Sequence, residues 1–133
     1  MTFLLDTHVW IWAFSESHRL GPLTKKLLSD PASDRWVSSV STMEIARLVA
    51  YKKLSLRSNL HTWVEQSSKD LLLKNLDMDH ATALEAYQLP GAFHTDPADR
   101  LLVATARVHG WTLLTADRKI LSYDHVNFID ARS

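Results

Sequence analysis

The chain has no cysteine, which excludes disulfides and thiolate metal sites and leaves the redox compartment open. It has no excess of either charge, because fifteen acidic residues balance fifteen basic ones. A strongly basic domain would announce a polyanionic partner; a balanced one neither supports nor excludes nucleic acid. No apolar run approaches the ~20 residues that span a bilayer. The short apolar start is broken by Asp6 and lacks the basic flank of a signal peptide. Repeats, low-complexity tracts and linkers are also missing. These absences lead us to expect a soluble, cytoplasmic protein with no membrane segment. Its 133 residues, 46% of them apolar, suit a single domain, 1–133, with an ordinary core.

What the chain does have is aspartate. Only four of the acids are Glu and eleven are Asp, a residue that prefers caps, turns and metal sites to helix interiors. Short apolar runs at Thr2–Leu5, Arg35–Ser39, Leu71–Leu73, Trp111–Leu114 and Val126–Ile129 read as strands. Between them, helices are expected at His8–Phe14, Leu23–Ser29, from about Ser41 to Tyr51, at Asn59–Ser67, Asp79–Gln88, Pro97–His109, and from Asp117 to Ser122. Strands alternating with helices predict an α/β sandwich around a small, mostly parallel sheet. The first helix is apolar on nearly every side, with Trp10, Ile11, Trp12 and Phe14, so it belongs in a core or a subunit contact.

The segment His94-Thr95-Asp96-Pro97-Ala98-Asp99-Arg100 opens one of these helices. Asp96 suits the N-cap and Pro97 the first helical position, which places Asp99 in the first turn. There a negative charge is favoured by the helix dipole. Taken alone, the pair is a capping arrangement. Three further acids change that reading. Asp6 follows the first strand, Glu44 opens the helix after the second, and Asp117 follows the strand ending at Leu114. Parallel strands end on one edge, and ligands of open α/β sheets bind in the crevice there. Each acid also has a local explanation: Asp6 and Asp117 as N-caps, and Ser41-Thr42-Met43-Glu44 as a capping box. Together they are harder to explain locally. Two unit charges ~4 Å apart repel by about 4 kcal/mol at an effective dielectric of ~20, so clustered carboxylates must be partly protonated or hold a cation. All-oxygen donors without Cys point to Mg²⁺ or Mn²⁺. His8 and His94 are left outside the site, as surface or supporting groups.

Four segments, in this order, resemble the PIN-domain family, and within it the VapC-type ribonuclease toxins of type II toxin–antitoxin systems. They are Leu4-Leu5-Asp6-Thr7-His8-Val9-Trp10, Val37-Ser38-Ser39-Val40-Ser41-Thr42-Met43-Glu44-Ile45-Ala46, Asp96-Pro97-Ala98-Asp99-Arg100-Leu101-Leu102-Val103-Ala104-Thr105-Ala106 and Leu113-Leu114-Thr115-Ala116-Asp117-Arg118. The resemblance implies a three-layer α/β/α sandwich and metal-dependent hydrolysis of RNA that leaves a 5′-phosphate. It also implies a VapB-like antitoxin that blocks the site, and a homodimer. By position Asp6, Glu44, Asp99 and Asp117 match the family's acidic quartet, with Asp96 an additional acid beside it. Thr7 and Thr115 are expected to orient the carboxylates. Arg100 and Arg118 are expected either to hold the RNA backbone or to pair with neighbouring acids. Two other classes compete: a receiver-like metal-binding domain, and a PIN binding module without turnover. A receiver pattern has paired acids after the first strand, where Asp6 stands alone.

Overall fold

The computed structural model describes residues 1–133. Thr2–Leu5 forms β1, followed by α1 (Thr7–Ser15), a 3₁₀ turn (Ser17–Arg19), α2 (Pro22–Ser29), β2 (Asp34–Ser38) and α3 (Ser39–Ala50). Then come α4 (Leu60–Asp70), β3 (Lys74–Leu76), α5 (His80–Glu85), α6 (Pro97–His109), β4 (Thr112–Thr115), α7 (Arg118–Leu121) and β5 (Phe128–Asp130). The strands make one sheet in the order β3-β2-β1-β4-β5, and every pairing is parallel. The connections run outward from β1 to β3, then return across the sheet to β4. The switch therefore falls between β1 and β4, where Leu5 lies beside Leu114.

Strand periodicity builds the two faces. Phe3, Leu5 and Leu114 point into a core with Val9, Trp10, Ile45 and Trp63, from α1, α3 and α4. Leu4 and Leu113 point the other way, against Leu102, Val103 and Ala106 of α6 and Ile120 of α7. The result is the three-layer α/β/α sandwich expected of the PIN fold. Trp10 and Trp12 are core residues, and the Trp10 indole N–H donates to Ser67 at 2.9 Å. No helix is long and apolar enough to cross a membrane.

Two local expectations are corrected. Leu71–Leu73 is not a strand; α4 continues to Asp70 and these leucines close it. Leu72 N–H donates to Lys69 O and Leu73 N–H to Ser68 O, with Leu72 in the left-handed region at φ 53°. This is a Schellman closure in which Leu73 is the buried contact and Leu72 projects into solvent. The true third strand, Lys74–Leu76, is an edge strand with little apolar signal of its own. The capping box at Ser41 is also absent. Ser38 caps α3 by accepting from Val40 N–H at 3.0 Å, which leaves Ser41 and Glu44 inside the helix.

Candidate active site

The C-terminal ends of β1, β2 and β4 lead directly into helices, and this edge carries the acids. Asp6 is buried at the β1–α1 junction. Its Oδ1 accepts from Thr7 N–H at 2.7 Å and caps α1, while its Oδ2 accepts from the Thr115 hydroxyl at 2.7 Å. The Thr115 oxygen in turn accepts from Asp117 N–H at 3.0 Å, so one hydroxyl ties the ends of β1 and β4 together. Asp117 caps α7, accepting from Lys119 N–H at 2.8 Å. Thr7 Oγ1 donates to Glu44 Oε1 at 2.5 Å and lies 2.9 Å from Ser41 Oγ, which locks α1 against α3. Both threonines therefore hydrogen-bond to carboxylates.

Asp96 is the N-cap of α6, accepting from Asp99 N–H at 3.0 Å, and it stands exposed at the rim. Asp99 points inward. Burial, reinforced by Asp6, Asp117, Asp96 and Glu44, pushes its carboxyl from the ordinary 3.8 up to about 8. Burial likewise raises Asp6, with the charge of Asp117 adding to the shift. It raises Glu44 too, with Asp6 and Asp96 adding. The five acids thus share one electrostatic environment although they come from four separate parts of the chain.

Two histidines missed by the sequence reading belong to this environment. His94 Nε2 lies 3.0 Å from Asp99 Oδ2. His8 Nε2 accepts from Ala116 N–H at 2.9 Å, and its Nδ1 lies 3.7 Å from Asp6 Oδ2. The available signal was nearness in sequence: each histidine lies two positions from an acid of the cluster.

The two arginines divide. Arg100 pairs with no acid. Its Nε donates to Ala86 O at 2.8 Å, and its Nη1 donates to Phe93 O and His94 O, each at 3.0 Å. This corrects the ion-pair reading: backbone carbonyls of Ala86, Phe93 and His94 take three of its five N–H donors. Arg118 is exposed and has no ionic partner.

No three of these acids and histidines converge tightly enough to make a ready-formed ligand cage. The fit to a divalent cation lies instead in the donor chemistry. Carboxylate oxygens dominate, there is no thiolate, and Asp99 stays protonated near neutrality unless positive charge replaces its proton.

A doubly wound parallel sheet with clustered acids at its switch point defines a class, the acidic-centred α/β domains. The family is more specific: the model of the PIN domain matches residues 3–126, and the chain belongs to that family. It is 34% identical to Ribonuclease VapC22 of Mycobacterium tuberculosis over 124 residues, 93% of each chain. Among solved structures, VapBC-1 of nontypeable Haemophilus influenzae superimposes with a TM-score of 0.73 at 13% identity, covering 100% of both chains. FitAcB of Neisseria gonorrhoeae superimposes with a TM-score of 0.68 at 25% identity, covering 97% of both.

Proposed function

We propose that this chain is a divalent-metal-dependent endoribonuclease, the toxin of a toxin–antitoxin pair, acting as a single domain in the cytoplasm. The observation that carries the chemistry is Asp99, a half-buried carboxyl crowded by four other acids and held up to about 8. A site built only to cap helices has no use for such a group. The ribonuclease relative, similar along nearly the whole chain, supports RNA as the substrate. The VapBC structural neighbours support a VapB-like antitoxin as partner. A homodimer is part of the same proposal, carried from the family resemblance.

Asp6, Glu44, Asp99 and Asp117 would hold Mg²⁺ or Mn²⁺, with Asp96 at the rim. When bound, the ion supplies Lewis-acid chemistry and offsets the carboxylate charge that would otherwise repel a phosphodiester. The protein's own part is orientation. Thr115 and Thr7 fix the Asp6 and Glu44 carboxylates, and the α1 and α7 caps fix the backbone beneath Asp6 and Asp117. Asp99 must release its proton as the site loads.

The test is RNA cleavage by the purified chain with Mn²⁺ or Mg²⁺, set beside Asp6→Asn with its fold checked by circular dichroism. Cleavage by the wild type and none by the folded variant is the expected result. Equal cleavage by both would overturn the assignment. Ion binding without cleavage in the wild type would favour a silent binding module.

A further inference from the structure

Beside the acids lies a cleft of about 390 Å³ whose walls include Phe93, His94, Arg118, Lys119 and Tyr123. Its volume is within the range of clefts that take small ligands. One wall touches the acidic centre directly, because His94 lines the cleft and contacts Asp99 at 3.0 Å. The opposite wall begins immediately after Asp117, with Arg118 and Lys119.

These walls are held in place. Arg100 grips the carbonyls of Ala86, Phe93 and His94, and the Tyr123 hydroxyl donates to Pro90 O at 2.5 Å. The Phe93 ring packs 4.8 Å from that of Tyr123 and 4.5 Å from that of His94, and it keeps part of its surface open. Neither Arg118 nor Lys119 has a carboxylate within 4.0 Å, although five acids lie nearby. The nearby Asp117 carboxylate is turned back to cap α7 instead.

We infer that this cleft is the subsite for the nucleotide adjoining the scissile phosphate of single-stranded RNA, with Arg118 and Lys119 on its phosphate and Phe93 against its base. The inference rests on the ribonuclease reading and deepens it. A cationic pair next to an acidic centre suits a polyanion that crosses both: one phosphate meets the ion-loaded acids and the next meets the guanidinium and ammonium. Aromatic surface beside a cationic groove is the arrangement that takes unstacked bases. Since every base has a π-face, Phe93 supplies affinity with little sequence preference.

The experiment measures binding of a fluorescein-labelled single-stranded oligoribonucleotide by anisotropy in Ca²⁺, across a salt series, with cleavage in Mn²⁺ followed in parallel. The variants are Arg118→Ala/Lys119→Ala and Phe93→Leu, with Lys25→Ala/Lys26→Ala on α2 as a charge-matched control outside the cleft. Each phosphate contact contributes about 0.7 to the logarithmic salt slope for single strands. The Arg118→Ala/Lys119→Ala protein should bind about 10-fold more weakly and lose roughly 0.7 to 1.4 of that slope. Phe93→Leu should weaken binding about 5- to 100-fold with the slope unchanged. The control should match the wild type. Where binding is too weak to measure, KM for cleavage carries the same comparison. Arg118 and Lys119 are exposed, so the double variant folds even if Phe93→Leu does not. Wild-type affinity and slope in the double variant would overturn the subsite, while continued cleavage would leave the ribonuclease reading intact. A wild type that neither binds nor cuts RNA would overturn both.

Discussion

Replacing Asp99 by Asn should stabilise the ion-free protein in mildly alkaline solution and remove its stabilisation by Mn²⁺. The carboxyl is raised from 3.8 to about 8, so the folded protein holds a proton that the unfolded chain releases. Stability contributed at this residue is therefore intact below about pH 4 and is lost as pH rises towards 8. The full displacement corresponds to roughly 5 to 6 kcal/mol above pH 8, at 1.36 kcal/mol per pKa unit. The Asp99 side chain keeps 17% of its surface exposed, so water screens part of that cost. We expect about 2 to 3 kcal/mol, which for a chain of this size is a rise of roughly 7 to 10 °C in Tm. Asparagine keeps the shape and carries no charge, so it should show the gain at pH 8.5 and less than about a third of it at pH 5. Saturating Mn²⁺ should then raise the Tm of the wild type but not of Asp99→Asn, since only a protein that binds the ion gains from mass action. Scanning calorimetry at the two pH values, with EDTA and then with Mn²⁺, decides the matter. A Tm difference that does not change with pH, or an equal Mn²⁺ response in both proteins, would refute the reasoning.

Thr115→Val should cost about 1 to 3 kcal/mol, because it leaves Asp6 Oδ2 and Asp117 N–H without their shared hydroxyl. It should weaken Mn²⁺ binding about 10- to 100-fold by calorimetry, and unchanged ion affinity would show that the hydroxyl does not orient the site. Leu72→Gly should stabilise the protein by about 1 kcal/mol, since an exposed leucine at φ 53° bears the strain of a left-handed helix closure. A lower urea midpoint in that variant would count against the strain.

The layer order was legible because strand and helix periodicities differ, and the short strands β1 and β4 are centred on the apolar runs Phe3-Leu4-Leu5 and Leu113-Leu114. The third strand was not. Leu71–Leu73 is the most apolar triplet near that position, and burial in a helix closure demands the same residue types as burial in a strand. The strand itself, Lys-Asn-Leu, pairs on one side only and needs no apolar signal. Arg100 illustrates a second limit. Its place beside Asp99 in sequence suggests an ion pair, but α6 carries the two side chains apart, and the carbonyls it serves belong to a loop whose path no local pattern specifies.

Capping and site-building are not rival explanations of these acids. In a parallel α/β sheet the C-terminal end of each strand lies close to the start of the next helix, so the edge that binds ligands is also the edge where N-caps stand. Asp6, Asp96 and Asp117 each use one oxygen to close a helix N-terminus. A sequence reading that recognises them as caps is right about one oxygen and silent about the other. Glu44 and Asp99 differ in kind. Glu44 lies inside α3, past any capping position, and Asp99 leaves the capping of α6 to Asp96. Burial and neighbouring charge raise both, so neither helps the fold by being there. Helix closure accounts for three of the acids; only a need for negative charge at this edge accounts for all five.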